Sequence, residues 1–329
     1  MRERITAVSF TERGARLAER ICAALGGAHT EAHGDRAFSL EAWTRDAFVS
    51  GDALLFVGAA GIAVRAIAPY VKSKAEDPAV LCVDELGRFV IPLLSGHLGG
   101  ANALARRVAD VTGGTAVITT ATDLNGAFAV DLWAVRQDMA VLQPERIKTV
   151  SSAILRGESI RVTCPWPIGG AAPAQVCLSA HGDVAVDVRP LGGEALQLVP
   201  RILTLGIGCR RGTSGEELET VFRRFCAERR IVPKAIAAAA SIDRKRDETG
   251  LLTFCERHGW PVTFYTADAL AAVKGAFSAS AFVASTVGVD NVCERAAVLA
   301  GGELFEKKYA ADGVTFAVAL RTPQLDWSW

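Results

Sequence analysis

The sequence predicts an α/β protein: N-terminal and C-terminal α/β domains with mainly parallel sheets, joined by a small middle domain. Three observations predict it. Short apolar strand candidates alternate with amphipathic helices over residues 1–125 and again over 201–329. Between them, residues 126–200 are rich in proline and glycine, with only short apolar runs. Finally, "VGAAGIAVR", "SGHLGGAN" and "GIGCRRGTSGEE" each join an apolar strand to a helix through a small-residue turn. Open α/β sheets bind ligands at such joins.

Each element follows from its pattern. "ITAVSF" reads as a strand, and "GARLAERICAAL" has the apolar spacing of a helix. "ALLFVGAAGIAVRAIAPY" is a buried strand, a glycine break and a helix closed by Pro69. "AVLCVDELGRFVIPLL" is two strands around Glu85-Leu86-Gly87. The helix after Gly100 places Ala101, Leu104, Ala105, Val108 and Ala109 on one face. "TAVITTATD" reads as another strand. In the middle domain a helix carries Ile147, Val150, Ser151, Ile154 and Leu155 on one side. "RILTLGIGC" is then a strand, "RRGTS" a turn, and "GEELETVFRRFCAERR" a helix with apolar Leu218, Val221, Phe222, Phe225 and Cys226. Ser214 and Glu217 fit a capping box at its start. "PVTFY" is a strand and "GVDNVCERAAVLAG" a helix. "GELFEKKYAADGVTFAVAL" is a hairpin turning at Asp312-Gly313.

Composition excludes several function classes. Lys plus Arg is 36 and Asp plus Glu is 36. This balance argues against nucleic acid, whose binding domains carry a basic excess. No run of about 18 apolar residues marks a membrane span, so no membrane partner is expected. "MRERITAVSF" lacks the h-region and cleavage site of a signal peptide, and a cytoplasmic location is expected. Eight dispersed cysteines form no CxxC pair, and His29 and His33 have no partner at zinc-site spacing. No metal site is expected, and the cysteines read as small buried hydrophobes.

The candidate chemistry sits at the strand-end turns, with "FVASTVGVDNVCE", in which Ser285 and Thr286 close a strand, as a fourth. A helix start offers free N–H groups to carboxylates and phosphates. None of these turns is a nucleotide fingerprint, because GxGxxG spacing and the phosphate-loop lysine are missing. His97 is the titratable group suited to acid or base work near neutral pH. Gly96, Gly99 and Gly100 would let backbone N–H groups approach a developing oxyanion. Ser95 fits no GxSxG elbow and reads as a hydrogen-bonding group rather than a nucleophile. Arg65, Lys72, Lys74, Arg210, Arg211, Arg244, Lys245 and Arg246 gather at the same turns. They suggest a polyanionic small ligand, since arginine forks match carboxylates.

These stretches closely resemble the CbiG family of anaerobic cobalamin biosynthesis, the cobalt-precorrin-5A hydrolases. The resemblance rests on "FVGAAGIAVRAIAPYVKSKAEDPAVLCVDELGRFVIPLLSGHLGGANALARRVA", "AVITTATDLNGAFAVDLWA", "LGIGCRRGTSGEELE", "SIDRKRDETGLL" and "STVGVDNVCERAAVL", in order along the chain. It implies opening of a lactone between a ring acetate and the extruded meso carbon, then loss of acetaldehyde. Cobalt-precorrin-5A and water are the implied substrates. Cobalt is carried within the substrate, so no cofactor is expected. The resemblance implies chemistry in residues 1–125 and corrinoid binding in 201–329, whose likeness extends to a stand-alone unit of the aerobic route. His97 is then the base or acid. Ser95, Gly99, Gly100 and Asn102 orient the lactone, and Arg210, Arg211, Thr213 and Ser214 hold carboxylate arms. Gly58, Arg65, Ser285 and Thr286 complete the expected substrate surface. Transient contact with precorrin methyltransferases and a homodimer are further expectations. A non-catalytic corrinoid carrier would use the same basic turns without needing a base. A nucleotide-binding enzyme is the third reading.

Overall fold

The computed structural model describes residues 4–34, 37–51, 53–73, 76–279 and 290–329. Ser285, Thr286 and Lys74 lie outside the described residues. The chain divides into two compact units, one of Met1–Val135, Ile147–Glu158 and Trp329, the other of Arg136–Arg146 and Ser159–Ser328.

The first unit holds a six-stranded sheet in the order β2-β1-β3-β4-β5-β6. Its strands are β1 (Ile5–Ser9), β2 (Gly27–Glu31), β3 (Ala53–Val57), β4 (Val80–Val83), β5 (Phe89–Leu94) and β6 (Thr115–Ala116). The first four strands run parallel to one another, whereas β5 runs antiparallel to β4, pairing Val83 with Val90 and Val80 with Leu94. Strand β3 is buried along its whole length, as a central strand covered on both faces must be. Helix α1 (Glu12–Leu25) starts where the Thr11 side chain accepts the Gly14 N–H, and it buries Leu17, Ala18, Ile21 and Cys22. Helices α2 (Leu40–Ser50) and α3 (Ala60–Ile67) flank β3 in sequence. Helix α4 (Ala101–Thr112) buries the five apolar residues that the sequence spacing selects, together with Asn102.

One element departs from expectation. "TAVITTATD" is not a strand throughout: β6 pairs with β5 only at Thr115 and Ala116. An edge strand has a single neighbour to hold it. The chain leaves that edge and enters α5 (Ala121–Leu124), followed by α6 (Val130–Arg136). This departure brings Asp123 and Asp131 to the end of β5.

The second unit holds two five-stranded sheets. One lies within residues 139–200, in a segment of short strands. The other includes Leu203–Cys209, parallel to Ile236–Ile242, and the antiparallel hairpin Glu303–Ala311 with Val314–Leu320. The Ala-rich run Ile236–Ile242 has high helix propensity yet forms a strand. Strands on both sides and a buried core outweigh a fraction of a kcal/mol per residue. The hairpin turns where expected, with positive φ at both Asp312 and Gly313. The Ser214–Glu217 capping box is present at helix Gly215–Arg229, and the predicted apolar face of that helix is buried. Among the described residues, no helix is long and apolar enough to cross a membrane.

Candidate active site

Where β5 ends, the chain folds back on itself in a tight turn. Ser95 adopts φ 56 and Gly100 φ 80, both in the left-handed region. The Ser95 hydroxyl donates to the Asp77 carbonyl at 2.8 Å, and the Ser95 carbonyl accepts the Ala101 N–H at 3.1 Å. Glycines are required here by the turn's own packing. A Cβ on Gly99 would stand 2.4 Å from the Ser95 Cβ, and one on Gly96 would stand 2.8 Å from the Asn102 Oδ1. The Gly100 N–H donates to the His97 carbonyl at 3.0 Å. The backbone N–H groups of Gly96, His97, Leu98 and Gly99 meet no acceptor among the described residues. A run of successive unpaired amides in a turn is a place for an anion.

His97 is held at both ends. Its Nε2 lies 2.7 Å from Asp123 Oδ2 and its Nδ1 lies 3.0 Å from Asp131 Oδ1. The side chains of His97 and Asp131 are 9% and 8% exposed. Burial by itself lowers the pKa of an imidazole, but hydrogen bonds and charge from Asp131 and Asp123 outweigh it, so the His97 pKa is raised. Asp123 experiences the reverse balance. Burial pushes its carboxyl up, while His97 and Arg106 pull it further down, and its pKa is lowered overall. Asn102 Nδ2 donates to Thr120 Oγ1 at 2.9 Å and Asp123 Oδ2 at 3.1 Å, and Arg106 Nη2 donates to Asp123 Oδ1 at 2.8 Å. The cluster is therefore a histidine between two carboxylates that favour its charged form. It can release a proton, or take one back after losing it.

The predicted residues fall into distinct places. His97, Ser95, Gly99, Gly100 and Asn102 share this turn. Asn102, expected against the substrate, is 3% exposed with its amide donors committed to Thr120 and Asp123, so it acts through Asp123. Ser95 has its hydroxyl proton on Asp77, which makes it a brace of the turn. Gly100 has its amide inside the turn and is not free for an oxyanion. Gly58 is not part of this site. It follows β3, whose end lies beside Val83, at the opposite end of the strands from Ser95, because β5 runs antiparallel to its neighbour. A Cβ on Gly58 would meet the Phe10 ring at 2.9 Å, which accounts for glycine there. Arg65 lies in the last turn of α3 and donates to the Gly61 carbonyl.

In the second unit, Arg211 pairs with Asp247 at 2.7 Å beside an open depression of about 460 Å³ lined by Arg211, Asp243, Arg244, Arg246 and Asp247. Buried Glu248 accepts the Gly212 N–H at 2.6 Å and Lys245 Nζ at 3.1 Å, tying the Arg211 turn to the segment that lines the depression. Arg210 packs its side chain over Gly313. Thr213 donates to the Arg210 carbonyl, and Ser214 caps its helix. Burial raises the Cys209 thiol, so it supplies no ready thiolate.

Sequence reasoning missed Asp123, Asp131 and Arg106. A signal existed for Asp131: a carboxylate inside the apolar run "GAFAVDLWAV" must be exposed or paired. Asp123 and Arg106 give no such signal, since acidic and basic residues on helices are ordinary surface features.

Comparison with known proteins adds independent findings. Residues 42–123 match the family model described as Cobalamin synthesis G N-terminal, and residues 203–319 match Cobalamin synthesis G C-terminus. A cobalt-precorrin-5A hydrolase of Salmonella typhimurium is 36% identical over 301 residues, 84% of this chain and 84% of the relative. A cobalt-precorrin-5A hydrolase of Priestia megaterium is 35% identical over 300 residues, 83% of this chain and 79% of the relative. Protein CobE of a Sinorhizobium species is 30% identical over 121 residues, 36% of this chain and 79% of CobE.

Proposed function

We infer the activity from the family: the chain belongs to the CbiG family, matched by its two models and by relatives 36% and 35% identical along most of the chain. It is a hydrolase of cobalt-precorrin-5A in cobalamin biosynthesis. The reaction consistent with this membership opens the ring acetate lactone. Water adds its oxygen to the acyl carbon, the acyl–oxygen bond breaks, and a carboxylate and an alkoxide result. The alkoxide then becomes the carbonyl of acetaldehyde as the adjoining carbon–carbon bond breaks. That electron pair stays on the macrocycle and takes up a proton. Cobalt enters and leaves within the corrinoid, and the reading assigns no resident cofactor.

One observation carries the assignment of residues: His97 sits between Asp123 and Asp131 beside four unpaired amides. The amides of residues 96–99 receive the oxyanion formed at the lactone carbonyl. His97, charged to higher pH than an ordinary histidine, is the proton reservoir for the carbon left on the macrocycle, with the two carboxylates fixing its ring. Water activation uses the same unit once its proton has been given up. In residues 201–329, Arg210, Arg211 and the basic depression bind carboxylate arms of the corrinoid.

The test is acetaldehyde release from purified cobalt-precorrin-5A. His97→Ala, Asp123→Asn and Asp131→Asn are expected to lower kcat by about 10²-fold or more, the usual contribution of a positioned proton-transfer group. Wild-type rates in both His97→Ala and Ser95→Ala would remove this turn from the chemistry.

A further inference from the structure

Arg106 differs from every other member of the His97 cluster. It lies one helical turn beyond Asn102 on α4, and the two share the face that meets Asp123. Asn102 is buried, whereas the Arg106 side chain is 53% exposed. Of the five N–H donors that a guanidinium carries, one meets Asp123, and the others have no partner among the described residues. No other Lys or Arg lies within ion-pair distance of the cluster among the described residues.

The charge balance gives this position a consequence. With His97 protonated, His97 and Arg106 carry two positive charges against the two negative charges of Asp123 and Asp131. The lactone is neutral at its reacting carbonyl, and its opening creates a carboxylate there. Without Arg106 that charge would form beside a cluster already net negative. The ring nitrogens of His97 are both engaged, so its cation is not free to meet the new anion.

We propose that Arg106 is the residue that receives the carboxylate formed when the lactone opens. This proposal rests on the lactone-hydrolase reading above. The group bound is a carboxylate, held by the N–H donors of Arg106 that face solvent. Asp123 and the product then share one guanidinium, so product formation loosens the hold on Asp123. The contact is made with the opened form and only weakly with the closed lactone, so it favours the transition state over the bound substrate.

The measurement is product inhibition. Ring-opened product, prepared by exhaustive turnover with the wild-type enzyme, is titrated against the wild type, Arg106→Gln, Arg106→Lys and His97→Ala. Arg106→Gln is expected to raise the product Ki by about ten-fold or more, with a smaller rise in substrate KM, as loss of a charge-assisted contact predicts. Arg106→Lys should fall between, because a lysine is a point charge without the fork. A product Ki equal to wild type in Arg106→Gln overturns the proposal. So does a shifted pH profile of kcat with unchanged Ki, which marks a residue that only braces Asp123. If Arg106→Gln melts early, Arg106→Lys decides alone, and an unchanged Ki again overturns it. His97→Ala separates the two levels. If His97→Ala still releases acetaldehyde at the wild-type rate, the assignment of His97 as the proton-transfer group falls. If it does not, while Arg106 variants keep their Ki, only the role of Arg106 falls.

Discussion

His97 and Asp123 make the pH response of this site predictable in sign. The His97 pKa is raised in the folded protein. Its stabilising contribution is therefore complete below the ordinary histidine range and is lost as pH rises through the raised value. Asp123 is lowered, so its contribution is complete above the ordinary aspartate range and is lost as pH falls through the depressed value. Between those limits both contributions are present. Denaturant unfolding across pH should show the decline at high pH in the wild type and a weaker one in His97→Gln. Ser95 makes a different contribution. Ser95→Ala leaves the buried Asp77 carbonyl without its hydroxyl donor, which costs about 1–2 kcal/mol of unfolding free energy. Activity should fall far less than in His97→Ala, since Ser95 holds the turn and not the proton.

The turn and the helix that follows it form one device. Gly99 has no room for a Cβ, with the Ser95 Cβ 2.4 Å from the ideal position. Gly99→Ala should destabilise by about 1–3 kcal/mol and disturb the unpaired amides, so that kcat falls along with the melting temperature. In the second unit, helix Cys293–Gly301 is fixed by buried Glu294. Its carboxylate accepts the Ser278 and Lys308 N–H groups, the Ser278 hydroxyl and Asn291 Nδ2. In Glu294→Gln one acceptor becomes a donor facing donors. A loss of about 1–3 kcal/mol is expected in urea unfolding. Glu294 in "NVCERAA" reads in sequence as an ordinary helix-surface residue, and only its surroundings reveal the anchor.

Across the whole molecule, the chemistry and the binding of the corrinoid's peripheral carboxylate arms are assigned to different units, and this division can be measured. Arg211→Ala and Arg244→Ala are expected to weaken corrinoid binding in a salt-dependent way while leaving the pH dependence of kcat intact. Asp131→Asn should do the opposite, sparing binding and lowering kcat. Equal effects of both sets on both quantities would sink the division of labour. A carrier without catalysis would show binding losses alone, with no acetaldehyde from any form of the protein.

The sequence by itself determined much of the architecture. The apolar spacing of α4, the Ser214–Glu217 capping box and the Asp312-Gly313 hairpin are set by neighbours within a few residues, where steric and hydrogen-bonding rules act directly. It also singled out the turn around His97, because a histidine between glycines at a strand end has few structural uses. Tertiary structure decided what that histidine does. The partners of His97 lie 26 and 34 residues further along the chain, and no periodicity links them. The antiparallel course of β5 decided which turns lie at the same end of the strands, separating Gly58 from Ser95 although both follow apolar strands. Strand direction and the meeting of distant carboxylates depend on how the sheet is assembled. Residue spacing along the chain carries neither.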